Sequence, residues 1–150
     1  MKSKAPLAMM EQIVMLLVFA LAAALCLQAF VKSDQISKRS EARDQAAVLC
    51  QNTAEAMRGN GSASEAAQAA SERLGYHFDQ GTLYQEFDEN WNPVDFGVYR
   101  LDAGGVPTDV PGLQMAHVCV RIGYNAGQGQ EAEVLFELDV AWQEEVGAHG

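Results

Sequence analysis

From Gln12 to Val31 the chain reads QIVMLLVFALAAALCLQAFV, twenty residues without a charge. A core helix of a globular protein keeps a polar stripe, and this run has none beyond Gln12 and Gln28. At 1.5 Å per residue it forms a helix of roughly 30 Å, the thickness of a bilayer's hydrocarbon core. Lys2 and Lys4 precede it and Lys32 closes it. The pattern predicts a transmembrane helix over 7–31. Neither Gly nor Pro occurs from Leu7 to Arg58, so the helix can continue through 32–58, about 78 Å in all. Beyond the membrane Ser40, Arg43, Ala47, Cys50, Ala54 and Met57 recur at three- and four-residue spacing. Ile36 falls one turn earlier, and Ala46, Val48 and Leu49 lie alongside. This modestly apolar face predicts docking on a folded domain, and Gly59-Asn60-Gly61 ends the helix.

The next 85 or so residues are patterned differently. Ser62-Ala63-Ser64-Glu65 fits a capping box opening a short Ala-rich helix, which ends at Leu74 with Gly75 placed to reverse the chain. Strands are predicted at Thr82–Asp88, Phe96–Ala103, Leu113–Tyr124 and Glu133–Trp142. Glu89–Pro93, Gly104–Gly112 and Ala126–Gln130 join them, and such short connections favour antiparallel neighbours. Ala116, Val118, Val120, Ile122 and Tyr124 share one face of the third strand, as do Val134, Phe136, Leu138, Val140 and Trp142 of the fourth. His117, Cys119, Arg121, Glu133, Glu137 and Asp139 take the opposite, wet face. The expected fold is α+β: a long N-terminal helix, its first half membrane-embedded, packed on a four-stranded antiparallel meander. The expected organisation is a leader-like segment 1–6, a membrane helix 7–31, its continuation 32–58, the short helix and sheet 59–143, and a flexible tail 144–150.

Charge sharpens this division. Residues 1–44 carry six Lys/Arg against four Asp/Glu, leaving four Arg against sixteen acids, a net of −12, for the remainder. A domain this acidic repels polyanions, so nucleic acid is not an expected partner. Trp91 and Trp142 are expected to anchor packing. Cys26 lies inside the apolar run. Cys50 falls on the helix stripe and Cys119 on the wet sheet face, an arrangement that opposes a disulfide between them.

The remaining chemistry is sparse. Asp88-Glu89-Asn90-Trp91-Asn92 has the spacing that opens a calcium loop, but Pro93 stands where Gly makes the sharp turn, and Asx residues are ordinary turn formers. His77, His117 and His149 show no metal spacing, and no nucleophilic or phosphate-binding set stands out. The domain is expected to be non-enzymatic, without metal or cofactor. A cleaved signal peptide is the competing reading of the N-terminus, with Ala22-Ala23-Ala24 as the small-residue site. The apolar run continues past those alanines to Val31, too long for an ordinary signal, and Leu25 sits where a lipoprotein site before Cys26 wants a small residue. Basic residues on both flanks leave the orientation open.

Glu11 is the unusual residue, a carboxylate at the mouth of an apolar helix. LAMMEQIVMLLVFALAAALCLQAFV resembles the N-terminus of type IV pilins and type II secretion pseudopilins. Tyr84–Pro93 is similar to a strand-turn segment of small pilin-like proteins from Gram-positive bacteria. In that family a basic leader precedes a cleavage point, and the fifth mature residue is Glu. Aligning Glu11 with it makes Leu7 the first mature residue and puts the cut after Pro6, where the family has Gly. The resemblance implies a prepilin peptidase as processing partner and a salt bridge from Glu11 to the freed amine of a neighbouring subunit. An uncut chain could not supply that amine. It further implies a structural subunit in the cytoplasmic membrane, N-terminus inside and domain extracytoplasmic, packing its helix on identical or related subunits. Ala20, Ala22, Ala23 and Ala24 would allow close helix approach. The alternative is a single-pass anchor whose acidic extracytoplasmic domain binds a partner without forming filaments.

Overall fold

A computed structural model describes residues 4–59, 61–123 and 132–144. Lys2, Asn60, Tyr124, the Ala126–Gln130 connection and the tail beyond Glu144, with His149, lie outside the described residues. Helix α1 runs unbroken from Ala5 to Met57, and α2 from Ala63 to Leu74. Six strands follow: β1 (His77–Asp79), β2 (Thr82–Phe87), β3 (Pro93–Val94), β4 (Tyr99–Val106), β5 (Leu113–Ile122) and β6 (Glu133–Gln143). The chain divides into two units after Glu41.

In the first unit every described residue is exposed. Among the described residues α1 is the one helix long and apolar enough to cross a membrane. Its most apolar stretch has a mean hydropathy of 2.6 and no buried residue. Such a surface is stable only when lipid or other apolar helices replace water around it.

The second unit is an α+β domain built on an antiparallel sheet of order β1-β2-β4-β5-β6, with β3 also paired to β2. The expected four-strand meander is present as β2-β4-β5-β6, but the sheet is wider. The extra strand β1 arises because Gln80 and Gly81 both take positive φ (49° and 83°), the backbone of a two-residue hairpin. With Gln in place of Asn before Gly, the sequence carries that signal weakly. β3 is a two-residue pairing with Glu86 and Phe87 on the same edge of β2.

Register along rows explains the core. Leu83, Ala103, Val118 and Leu138 are neighbours across β2, β4, β5 and β6, and Gln85, Leu101, Val120 and Phe136 form the next row. From the helices, Ala42, Ala46, Cys50, Thr53, Ala54, Ala56 and Met57 of α1 and Ala66, Ala67, Ala70 and Ser71 of α2 are buried over this face. All but Met57 are small, which lets backbone approach backbone closely. At its start the α1 stripe is shifted by one residue from the expected one. Ala42 and Ala46 are buried, whereas Arg43 is exposed and Ala47 only half-buried.

Three further expectations are corrected. The second long strand begins at Tyr99, three residues late, because Asp95-Phe96-Gly97-Val98 forms a loop. It also continues through Gly104 and Gly105, which pair with His117 and Ala116. Finally, a bulge between Val120 and Arg121 leaves Leu135 as an extra residue of β6. Leu135 is therefore buried, and Val134, opposite Arg121, turns outward.

Candidate functional site

Two places on the chain concentrate groups that elementary chemistry singles out: the start of α1 and the outer face of the sheet. Pro6 and Leu7 lie in the first turn of α1. Proline fits there because its missing N–H would have no intrahelical acceptor. Ala8 N donates back to the Lys4 carbonyl at 3.3 Å, so the Pro6–Leu7 peptide is already helical. Glu11 follows one turn later, exposed like its apolar neighbours. Leu7, Met10, Val14 and Phe19 around it are 59–78% exposed. Between Ala5 and Val31 the helix thus presents a single charge, the Glu11 carboxylate, on a surface whose other polar side chains are Gln12 and Gln28.

The outer sheet face is a polar lattice set by alternation. One row joins His77, Tyr84, Asp102, Cys119 and Glu137; the next joins Glu86, Arg100, Arg121 and Val134. Arg100 bridges both rows. Its Nε donates to Asp102 Oδ1 at 2.9 Å and its Nη1 to Glu86 Oε1 at 3.2 Å. Its guanidinium also lies 4.7 Å from the Tyr84 ring centre, where His77 stacks at 5.3 Å. Arg121 Nη1 approaches the second oxygen of Asp102 at 4.0 Å. Two arginines and two carboxylates therefore largely cancel. Further along, His117 Nδ1 meets Asp139 at 2.7 Å and Nε2 reaches Glu137 at 3.6 Å.

Cys119 is on this polar face, as its alternation requires, yet is only 2% exposed beneath its charged neighbours. Burial pushes its thiol up, more than Arg121 draws it down. Cys50, on the core side with its sulfur toward the Phe136 carbonyl, is pushed up by burial to about 12. Both are free, as is Cys26. A thiol held neutral is neither a nucleophile nor a metal ligand at neutral pH. No group of three or more metal-ligating side chains converges among the described residues.

The Asp88 turn spends its carboxylate internally. Oδ1 accepts from the backbone N–H of Asn90 at 2.8 Å and of Asn92 at 2.9 Å, and Oδ2 from the Asn92 amide at 3.1 Å. These bonds, those from Asn92 first, hold Asp88 below the ordinary carboxylate range. Inside the turn Trp91, at φ 63°, stacks on Tyr99 with centroids 4.0 Å apart. Trp142 is buried and donates its indole N–H to the Gly61 carbonyl at 2.8 Å.

The Glu86–Arg100–Asp102 network was not anticipated from the sequence. Alternation puts Arg100 and Asp102 on one face of β4, but only the register, with Arg100 opposite Glu86 and Asp102 opposite Tyr84, brings the three together. No family model, curated protein or solved structure matches the chain.

Proposed function

We propose that this chain is a non-enzymatic, pilin-like or pseudopilin-like subunit of a type IV pilus or type II secretion-like assembly. It sits in the cytoplasmic membrane by its N-terminal helix, N-terminus inside and acidic domain outside. One observation carries the reading: a single helix, Ala5–Met57, has its apolar first part fully exposed and bears Glu11 as the one carboxylate of that part. A lone anchor needs apolar length but no carboxylate. A helix that packs on copies of itself can use one, because an opposite charge on a neighbour offsets the desolvation that bare lipid leaves uncompensated. The prepilin peptidase cuts after Pro6, Leu7 becomes the first residue, and the amine it gains is the charge Glu11 meets on the adjacent subunit. Ala20, Ala22, Ala23 and Ala24 bring the helices into close contact.

The second reading, a single-pass anchored binding domain without filaments, draws on Pro6 itself. The family has Gly at the cut position, and Pro6 there, in the first helical turn, has a ring and no N–H to offer a peptidase. The two readings separate in membranes of the native host. Copurification of two differently tagged copies is expected for wild type and is lost in Glu11→Ala. Association that is absent in wild type, or indifferent to Glu11→Ala, sinks the assembly reading.

A further inference from the structure

Phe96 is 92% exposed, the most exposed large apolar side chain among the described residues, and it lies far along the chain from the membrane helix. It is not at the tip of a loose loop. Gly97 N donates to Glu86 Oε2 at 2.8 Å, and Val98 N to the Phe87 carbonyl at 2.9 Å. Any side chain at Gly97 would meet that carbonyl oxygen at 2.2 Å. Glu86 is itself held by Arg100. The loop backbone is therefore pinned, so seating the ring orders a side chain but little backbone, a condition that favours an aromatic anchor. Asp95 stands beside it, 85% exposed, with His77 Nε2 at 3.9 Å.

A partner for this knob needs an apolar socket with a cation at its rim. The acidic domain offers few cations. From Ala42 on there are five arginines: Arg43 is exposed on α1 beside Asp44, and Arg100 and Arg121 face Glu86 and Asp102 on the polar sheet face. Arg58 lines a groove that also holds Glu55 and Asp139, two carboxylates that would repel Asp95. Arg73 remains. It lines an open groove of about 370 Å³ between α1 and α2, with Asn52, Glu55, Ala56 and Leu74.

We infer that the Asp95–Phe96 knob of one copy seats in the α1–α2 groove of a second copy, Phe96 against Ala56 and Leu74 and Asp95 against Arg73. This rests on the assembly reading. Knob and socket are different patches of one chain, so the contact is head-to-tail and continues from copy to copy instead of closing a dimer. One ring buries far less than the roughly 1,200–2,000 Å² of a self-sufficient interface. The contact forms only where the membrane helices already hold copies together at an effective concentration of the order of millimolar.

The test uses the full chain in host membranes, two differently tagged copies co-expressed on a Cys26→Ala background. One carries Val94→Cys, which leaves Asp95 and Phe96 in place, and the other Asn52→Cys, and mild oxidation links cysteines in contact. A link between the tags is expected. It falls about ten-fold when the Val94→Cys copy also carries Asp95→Arg, and recovers when the other copy carries Arg73→Asp. Copies that copurify without forming the link, or a link indifferent to both charge changes, overturn this inference and leave the assembly reading standing. Copies that do not copurify overturn both. Asp95 and Arg73 are exposed, and unchanged thermal unfolding of each variant excludes misfolding as the cause.

Discussion

Gly105 of β4 lies close against the first turn of α2. A Cβ built there lies 2.7 Å from the Cβ of Ala63, about 1 Å inside the optimum for two carbons. The φ of Gly105 is outside the left-handed region, so Gly105→Ala adds a clash and no backbone strain. The first turn of α2 cannot easily retreat. Ser62 caps it, Ala63 N donates to the Gln114 side chain at 3.2 Å, and Trp142 holds the Gly61 carbonyl at 2.8 Å. Overpacking of this kind costs about 1–3 kcal/mol. For a domain of about 100 residues that lowers Tm by roughly 4–8 °C per kcal/mol. Ala63→Gly alone costs roughly 0.5–1 kcal/mol through backbone entropy. Together the two substitutions remove the contact, so the double variant is expected near the cost of Ala63→Gly alone and not at the sum. The assay is thermal unfolding of the detergent-solubilised chain, followed by near-UV circular dichroism of the buried Trp142. Additive losses, or a Tm unchanged in Gly105→Ala, would refute the reasoning.

Other consequences follow from the same geometry. Ser62→Ala removes the α2 cap and is expected to cost about 1 kcal/mol, read as a lower denaturation midpoint. The reciprocal bonds from Ser62 lower the Glu65 carboxyl below its ordinary value, so their stabilisation is complete above that value and is lost as acid protonates Glu65. An acid titration of unfolding in which Ser62→Ala changes nothing contradicts this. Cys50 behaves oppositely. Its thiol is raised from 9.0 to about 12, so stability is complete below pH 9 and declines as the pH rises towards 12. At neutral pH Cys50 and Cys119 should resist maleimide until the domain unfolds, and rapid labelling of either in the native chain would refute their burial. Leu101→Ala, at a fully buried position in the middle of the sheet, should cost about 2–5 kcal/mol, measured by denaturant unfolding.

The parts legible in the sequence were those fixed by local rules. The unbroken helix followed from fifty residues without a breaker. The α2 capping box and its Gly75 terminator followed from residue types at fixed spacing, and β5 followed from strict alternation. What escaped depended on pairing. Leu135 is buried and Val134 exposed only because β6 carries a bulge opposite Val120/Arg121, which alternation within one strand cannot reveal. β1 and β3 pair along the outer edge of β2, and a three- or two-residue run has no pattern of its own. Arg43 sits on the expected helix stripe, yet the docking face turns slightly to bury Ala42 and Ala46, whose size admits the sheet. Of the candidate sites, Glu11 was visible as a charge in an apolar run. The Glu86–Arg100–Asp102 network and the pinned Phe96 loop needed the cross-strand register.

The most direct test of the proposed role is the intact mass and N-terminal sequence of the protein purified from membranes of its native host. An assembly subunit of this kind begins at Leu7, with Glu11 as its fifth residue and a free or methylated amine to pair with it. A chain that begins at Met1 would contradict this role in favour of an anchored domain, and one that begins near Leu25 or Cys26 would mean that the apolar helix is a signal peptide.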